Sequence, residues 1–185
     1  MRLARLLVFA VILVLAAIMV PSASAVSVSE DYNKGTDFSK YKSFALKVGT
    51  PAPSPLGQDR IEKAITAQLE GKGMKASADA PDLQVFTHVQ ISSEKVVDVN
   101  SFGYGGYHGW GGWGGGFATS TVNVREIPVG TLVVDLVDSS SKELVWRGVA
   151  SDTINPNAKP EKREKVINQA VAKLFKKFPP IPAKK

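Results

Sequence analysis

The chain has 185 residues, no cysteine, two histidines and a formal net charge of +6. Without cysteine there is no disulfide framework, no thiolate nucleophile, no cysteine metal site and no lipid anchor on an N-terminal cysteine. Two histidines cannot complete a zinc site without carboxylates, and no HExxH or close His/Asp pair is present, so neither a metal nor a cofactor is expected.

In chain order, the first element is an address. Arg2 and Arg5 precede an unbroken apolar run, Leu6 to Val20, followed by Pro21 and "ASA" at Ala23 to Ala25. A basic start, an apolar run too short to span a bilayer comfortably and small residues at the cut positions predict a signal peptide over 1–25, cleaved after Ala25. The alternative is an uncleaved membrane anchor. The expected exported chain, 26–185, is long enough for one domain with its own core.

"VSVSEDYNKGTDFSKYKSFALKV" reads as two short strands broken by "NKG" and "DFSKY". A Pro/Gly loop follows, then a helix starting at Pro55 with Ser54 as N-cap. Ile61, Ile65 and Leu69, with Ala64, make its apolar stripe, and Gly71 and Gly73 are placed to end it. "PDLQVFTHVQIS" alternates: Leu83, Val85, Val89 and Ile91 share one face, and Gln84, Phe86, His88 and Gln90 the other. "SEKVVDVN" extends this strand or bends away from it.

Next comes "GYGGYHGWGGWGGGF", Gly103 to Phe117, with nine glycines in fifteen residues. A phosphate loop is excluded here, because the segment lies between β-like stretches and has no lysine. Two readings stay open: an insertion without a defined ligand, or a contact surface in which Tyr104, Tyr107, Trp110, Trp113 and Phe117 stack on a sugar or peptide. "ATSTVNVREIPV" is β-rich again.

The clearest hairpin is "GTLVVDLVDSSSKELVWRGVA". Leu132, Val134 and Leu136 face one way, with Leu144 and Trp146 joining them across the turn "DSSSK". Asp135 and Arg147 share the outward face and are placed to pair; Asp138 reads as a turn former. Asp135 and Asp138 point to opposite faces, poor geometry for a glycosidase carboxylate pair. Trp146 is expected in the core, and Gly148 at a close approach. The last helix runs from about Pro160 to Phe178 on Ile167, Val171, Leu174 and Phe178, supported by Val166, Ala170 and Phe175. Pro179 and Pro180 stop it. A basic tail, 181–185, ends the chain.

Strands, helix, strands, helix, with single apolar stripes on both helices, predict an α+β two-layer sandwich. Its sheet is antiparallel or mixed, and both amphipathic helices cover one face. The single domain spans 26–180, with a glycine/aromatic-rich loop at 102–117. The basic excess sits mainly in "EKREK" and "FKKFPPIPAKK". It suits contact with anionic envelope surfaces, although a solvated helix face is its commoner origin. Export and the lack of a recognition motif argue against nucleic acid.

"YNKGTDFSKYKSFAL", "LEGKGMK", "PDLQV", the "GTL…D…LVWRG" hairpin and the closing "FPP" together resemble the bacterial domain of unknown function 4136 family. The resemblance covers nearly all of the exported chain. It implies an exported envelope protein, in the periplasm or cell envelope, and the α+β fold. Many relatives are predicted lipoproteins, but the lipobox cysteine is missing here. The resemblance carries over no activity and no catalytic residue. Two function classes follow. One is a non-catalytic envelope module presenting the glycine-aromatic loop to an envelope protein or polysaccharide. The other is a cell-wall or polysaccharide-acting hydrolase. No nucleophile elbow or Ser–x–x–Lys pair supports the second, and the expectation is that the protein is not an enzyme.

Overall fold

The computed structural model describes residues 26–101 and 120–180. Six strands form one sheet in the order β1-β6-β5-β4-β2-β3. They are β1 (Ser27–Tyr32), β2 (Ser43–Thr50), β3 (Lys75–Ala76), β4 (Leu83–Ser101), β5 (Ser120–Asp138) and β6 (Leu144–Thr153), with α1 (Pro55–Glu70) and α2 (Pro160–Leu174). The sheet is mixed. α1 is the crossover that lets β2 and β4 run parallel, whereas β4, β5 and β6 follow one another antiparallel and β1 closes that side against β6.

Both helices lie on one face, giving the expected two layers. The α1 stripe is buried as its four-residue spacing requires: Ile61, Ala64, Ile65 and Leu69. Each fully buried Ile or Leu contributes about 1.5–3 kcal/mol of apolar transfer. Ser54 is the N-cap residue and Pro55 opens the helix, but the Ser54 side chain makes no capping bond. At the other end only Gly73 takes the left-handed conformation (φ 86°); Gly71 stays right-handed. Thr87, almost fully buried on the core face of β4, is met by Gln58 of α1, whose Nε2 lies 3.3 Å from its hydroxyl.

Under α2 the core is aromatic. Trp146 is fully buried and stacks on Phe175 at 5.2 Å between centroids, with Phe178 edge-on at 5.4 Å. A side chain at Gly148 would run into the Trp146 ring and come within 2.7 Å of Leu174 Cδ1, so the bare backbone is what admits the ring. Val171 and Leu174 complete this wall, and Ile167 and Ala170 pack against it partly buried.

Two placements differ from the sequence expectation. Leu144 is 44% exposed, because the β5–β6 register shifts between Leu136 and Val137. Leu136 pairs with Trp146, but Val137 pairs with Leu144, so Val145 is the extra residue of a bulge and is buried instead. Ile91 is 49% exposed, and β4 has by then run past its outer neighbour β2, whose last pair is Thr50↔His88.

Candidate functional site

The most distinctive feature is the far end of the β4–β5 pair. β4 loses β2 after His88, and β5 loses β6 after Val129. The two strands nevertheless continue together from Ser93↔Pro128 to Ser101↔Ser120. Nine further pairs at about 3.4 Å each make a two-stranded ribbon roughly 30 Å long. A bond from Ile154 N to Pro128 O, 2.8 Å, marks its root. From Ser92 to Lys95 and from Asn123 to Glu126 the ribbon is exposed, and Val97 faces Val124 with both open to solvent. Lys95 stands opposite Glu126, and Pro128 removes one edge donor; charge and proline both discourage unwanted edge pairing.

Segment 102–119 joins the ribbon's two strands. The contact residues expected from sequence, Tyr104, Tyr107, Trp110, Trp113 and Phe117, lie outside the described residues, as do the signal peptide (1–25) and the basic tail (181–185).

The sheet face away from the helices carries the other candidates. Arg147 donates from Nε and an Nη to the two carboxylate oxygens of Asp135, both at 2.6 Å. This is the cross-strand pair the alternation predicts, and it raises the Arg147 pKa through the bonded carboxylate. Asp135 is nearly buried and fully engaged. His88 is half-buried: its ring covers Gly49, and Nδ1 lies 3.1 Å from the Thr50 hydroxyl.

Asp138 is on the other side, at the end of β5. Its Oδ1 accepts from the Ser140 and Ser141 amides at 2.8 and 3.1 Å, the expected turn. Its Oδ2 accepts from Lys40 Nζ and Tyr41 OH, both at 2.8 Å. The Lys40 ammonium and then the Ser140 hydroxyl hold this carboxyl well below the usual carboxylate range. Burial, reinforced by the bond to Asp138, pushes the Tyr41 phenol up. Nearby Asp82 Oδ2 accepts from Lys42 N, Ser43 N and Ser43 Oγ, which lowers its pKa, the Lys42 amide first. Asp138 thus ties the β1–β2 connection to the β5–β6 turn, and Asp82 joins the same network, its carboxylate on the start of β2 and its carbonyl accepting from Ser139 N at 2.9 Å. Sequence reading missed the knot because its partners stand 97 and 98 residues apart.

Asp135 and Asp138 therefore do not converge on one substrate position. Among the described residues no three His, Cys, Asp or Glu side chains gather to hold a metal. Two shallow open grooves flank α1. One is lined by Gln68, Glu161, Glu164 and Asn168 against α2, and the other by Leu46, Asp59, Glu62 and Lys63 beside β2. Among the described residues no helix is long and apolar enough to cross a membrane.

A mixed six-stranded sheet with both helices on one face defines a class by architecture. The chain belongs to the family described as "Domain of unknown function (DUF4136)", which matches residues 28–180. No curated protein matches it. Among solved structures it is similar to a PDZ domain protein from Parabacteroides distasonis ATCC 8503 at TM-score 0.52 and 15% identity, over 85% of this chain and 36% of that one. This chain thus spans about a third of that protein. It is also similar to a PelC dodecamer from Paraburkholderia phytofirmans (TM-score 0.47, 13% identity, 82% of this chain and 96% of that one). Lipoprotein GNA1162 from Neisseria meningitidis is similar at TM-score 0.42 and 12% identity, over 73% of this chain and 98% of that one.

Proposed function

We propose that this is an exported cell-envelope protein acting as a non-catalytic binding or structural module. Its β4–β5 ribbon leads into segment 102–119, whose Tyr104, Tyr107, Trp110, Trp113 and Phe117 are the contact residues for an envelope protein or polysaccharide. The observation that carries the reading is the ribbon itself: nine pairs beyond the last contact with β2 and β6. Ordering backbone costs about 1–2 kcal/mol per residue, and the ribbon's exposed residues bury little in return. Rings spaced on glycine add apolar area with polar handles at its end. Export rests on the run Leu6–Val20 followed by Ala23 and Ala25. Mass spectrometry of protein recovered from its own export route is expected to find Val26 at the N-terminus; an intact Met1 in the membrane fraction would refute cleavage.

The binding role is tested by two variants of the protein. One replaces Tyr104–Phe117 with a short Gly/Ser linker, and the other changes only the five rings to serine. Loop shortening alters closure entropy by only about 0.6 kcal/mol per halving, so both are expected to melt within a few degrees of the parent. Both are expected to lose retention on purified cell-wall polysaccharide or on immobilised envelope proteins. Unfolding of the linker variant would make the segment core structure, and retention by both variants would make the rings passive.

A further inference from the structure

Charge is segregated along this chain. Residues 26–158 carry twelve Lys and Arg against fifteen Asp and Glu, whereas residues 159–185 carry nine against two. The fold puts much of that excess on one surface. At 100° per residue, Lys162, Lys165 and Lys173 fall within an arc of about 80° on α2. This arc lies away from Ile167, Val171 and Leu174, which face the core. Lys176 and Lys177 follow in the 3-10 turn Phe175–Lys177. All five are exposed, and among the described residues none forms an ion pair.

We propose that the lysines of α2 and of the 3-10 turn that follows it, Lys162, Lys165, Lys173, Lys176 and Lys177, form a docking surface for an anionic phospholipid bilayer. Charge complementarity is the first argument: a net-acidic body carries one cationic face, which attracts a negatively charged surface. The second is residue type. All five are lysine, a hydrated point charge on a flexible stem, which suits mobile phosphate headgroups. Directional carboxylate or phosphate recognition would favour the planar arginine fork. The third is the character of the helix. None of the large exposed apolar residues lies on α2, so binding is electrostatic and peripheral, without insertion. That face also carries no aromatic ring, the usual platform for a sugar, which disfavours an anionic polysaccharide. The face is rigid, because Val171, Leu174 and Phe175 fix the helix to Trp146. Phe178 also packs on Trp146, seven residues along β6 from Thr153, where the ribbon leaves the sheet.

The test uses the full chain and vesicles of phosphatidylcholine with or without phosphatidylglycerol. Residues 6–20 are common to every sample, so the readout is the difference between the two vesicle types. The protein is expected to bind the anionic vesicles at least ten-fold better at low salt and to lose that advantage in 0.5 M NaCl. Changing the five lysines to glutamine should abolish the advantage with the melting temperature unchanged, and changing them to arginine should keep it. Equal binding to both vesicle types, or an advantage that survives the glutamine changes, would overturn the proposal. So would lysine-dependent binding to a soluble anionic polysaccharide or to DNA without binding to the anionic vesicles.

Discussion

Two residues organise most of the packing and polar order, for opposite physical reasons. Trp146 is an apolar anchor: it touches Phe175 and Phe178 and fits over Gly148. Trp146→Ala is expected to cost about 3–5 kcal/mol in denaturant melts, from lost transfer energy and the cavity left behind. A loss under about 1 kcal/mol would contradict the ring's place in the core. Asp138 is a polar anchor, and its depressed pKa gives its contribution a pH signature. The stabilisation is complete above the unfolded carboxylate value of about 3.9, and it drains away as pH falls below that value toward the lower folded one. Asp138→Asn should therefore be less stable than the parent at pH 7, on the order of 1–3 kcal/mol for weakened bonds to Lys40 and Tyr41. The gap should narrow at pH 2.5. An equal gap at both pH values would show that the charge of Asp138 is not what holds the knot.

Elements differ in how far a local pattern can foretell them. The α1 stripe was legible because helix period and burial coincide at Ile61, Ile65 and Leu69. Trp146 and the Asp135–Arg147 pair were legible because strand alternation assigns faces without needing a partner. The bulge that turns Leu144 outward was not, since one extra residue leaves the composition of β6 unchanged while reversing the faces beyond it. Nor was the length of the ribbon. "SSEKVVDVN" alternates alike whether a strand has one neighbour or two, and where β2 and β6 stop is decided elsewhere in the chain. The β5–β6 turn contains a feature that sequence also hides: Lys142 sits at φ 62°. A left-handed non-glycine residue is strained by about 1–2 kcal/mol, and glycine returns part of that gain as unfolded-chain entropy. Lys142→Gly is expected to raise the melting temperature by a few degrees. A lower melting temperature would mean that the lysine side chain contributes more than its backbone costs.

At the scale of the whole molecule, the body and the ribbon are separable in energy. Among the described residues every buried member of the hydrophobic cluster lies within the sheet, its two helices or the short segments beside them, and none lies on the ribbon. Beyond Pro128 the ribbon strands pair only with each other. Replacing residues 94–127 by Asn-Gly should close a short hairpin after Ser93 and before Pro128, a turn that matches the natural strand twist. The sheet, the Trp146 cluster and the Asp138 knot would be untouched. The shortened protein is therefore expected to unfold in one cooperative step within a few degrees of the parent. Its denaturant m-value should change little, because the ribbon buries little surface of its own. A fall of ten degrees or more, or a broadened transition, would show that the ribbon braces the body. It would then be a structural member, and its exposure of Val97 and Val124 would have to be explained by a partner strand that completes the sheet.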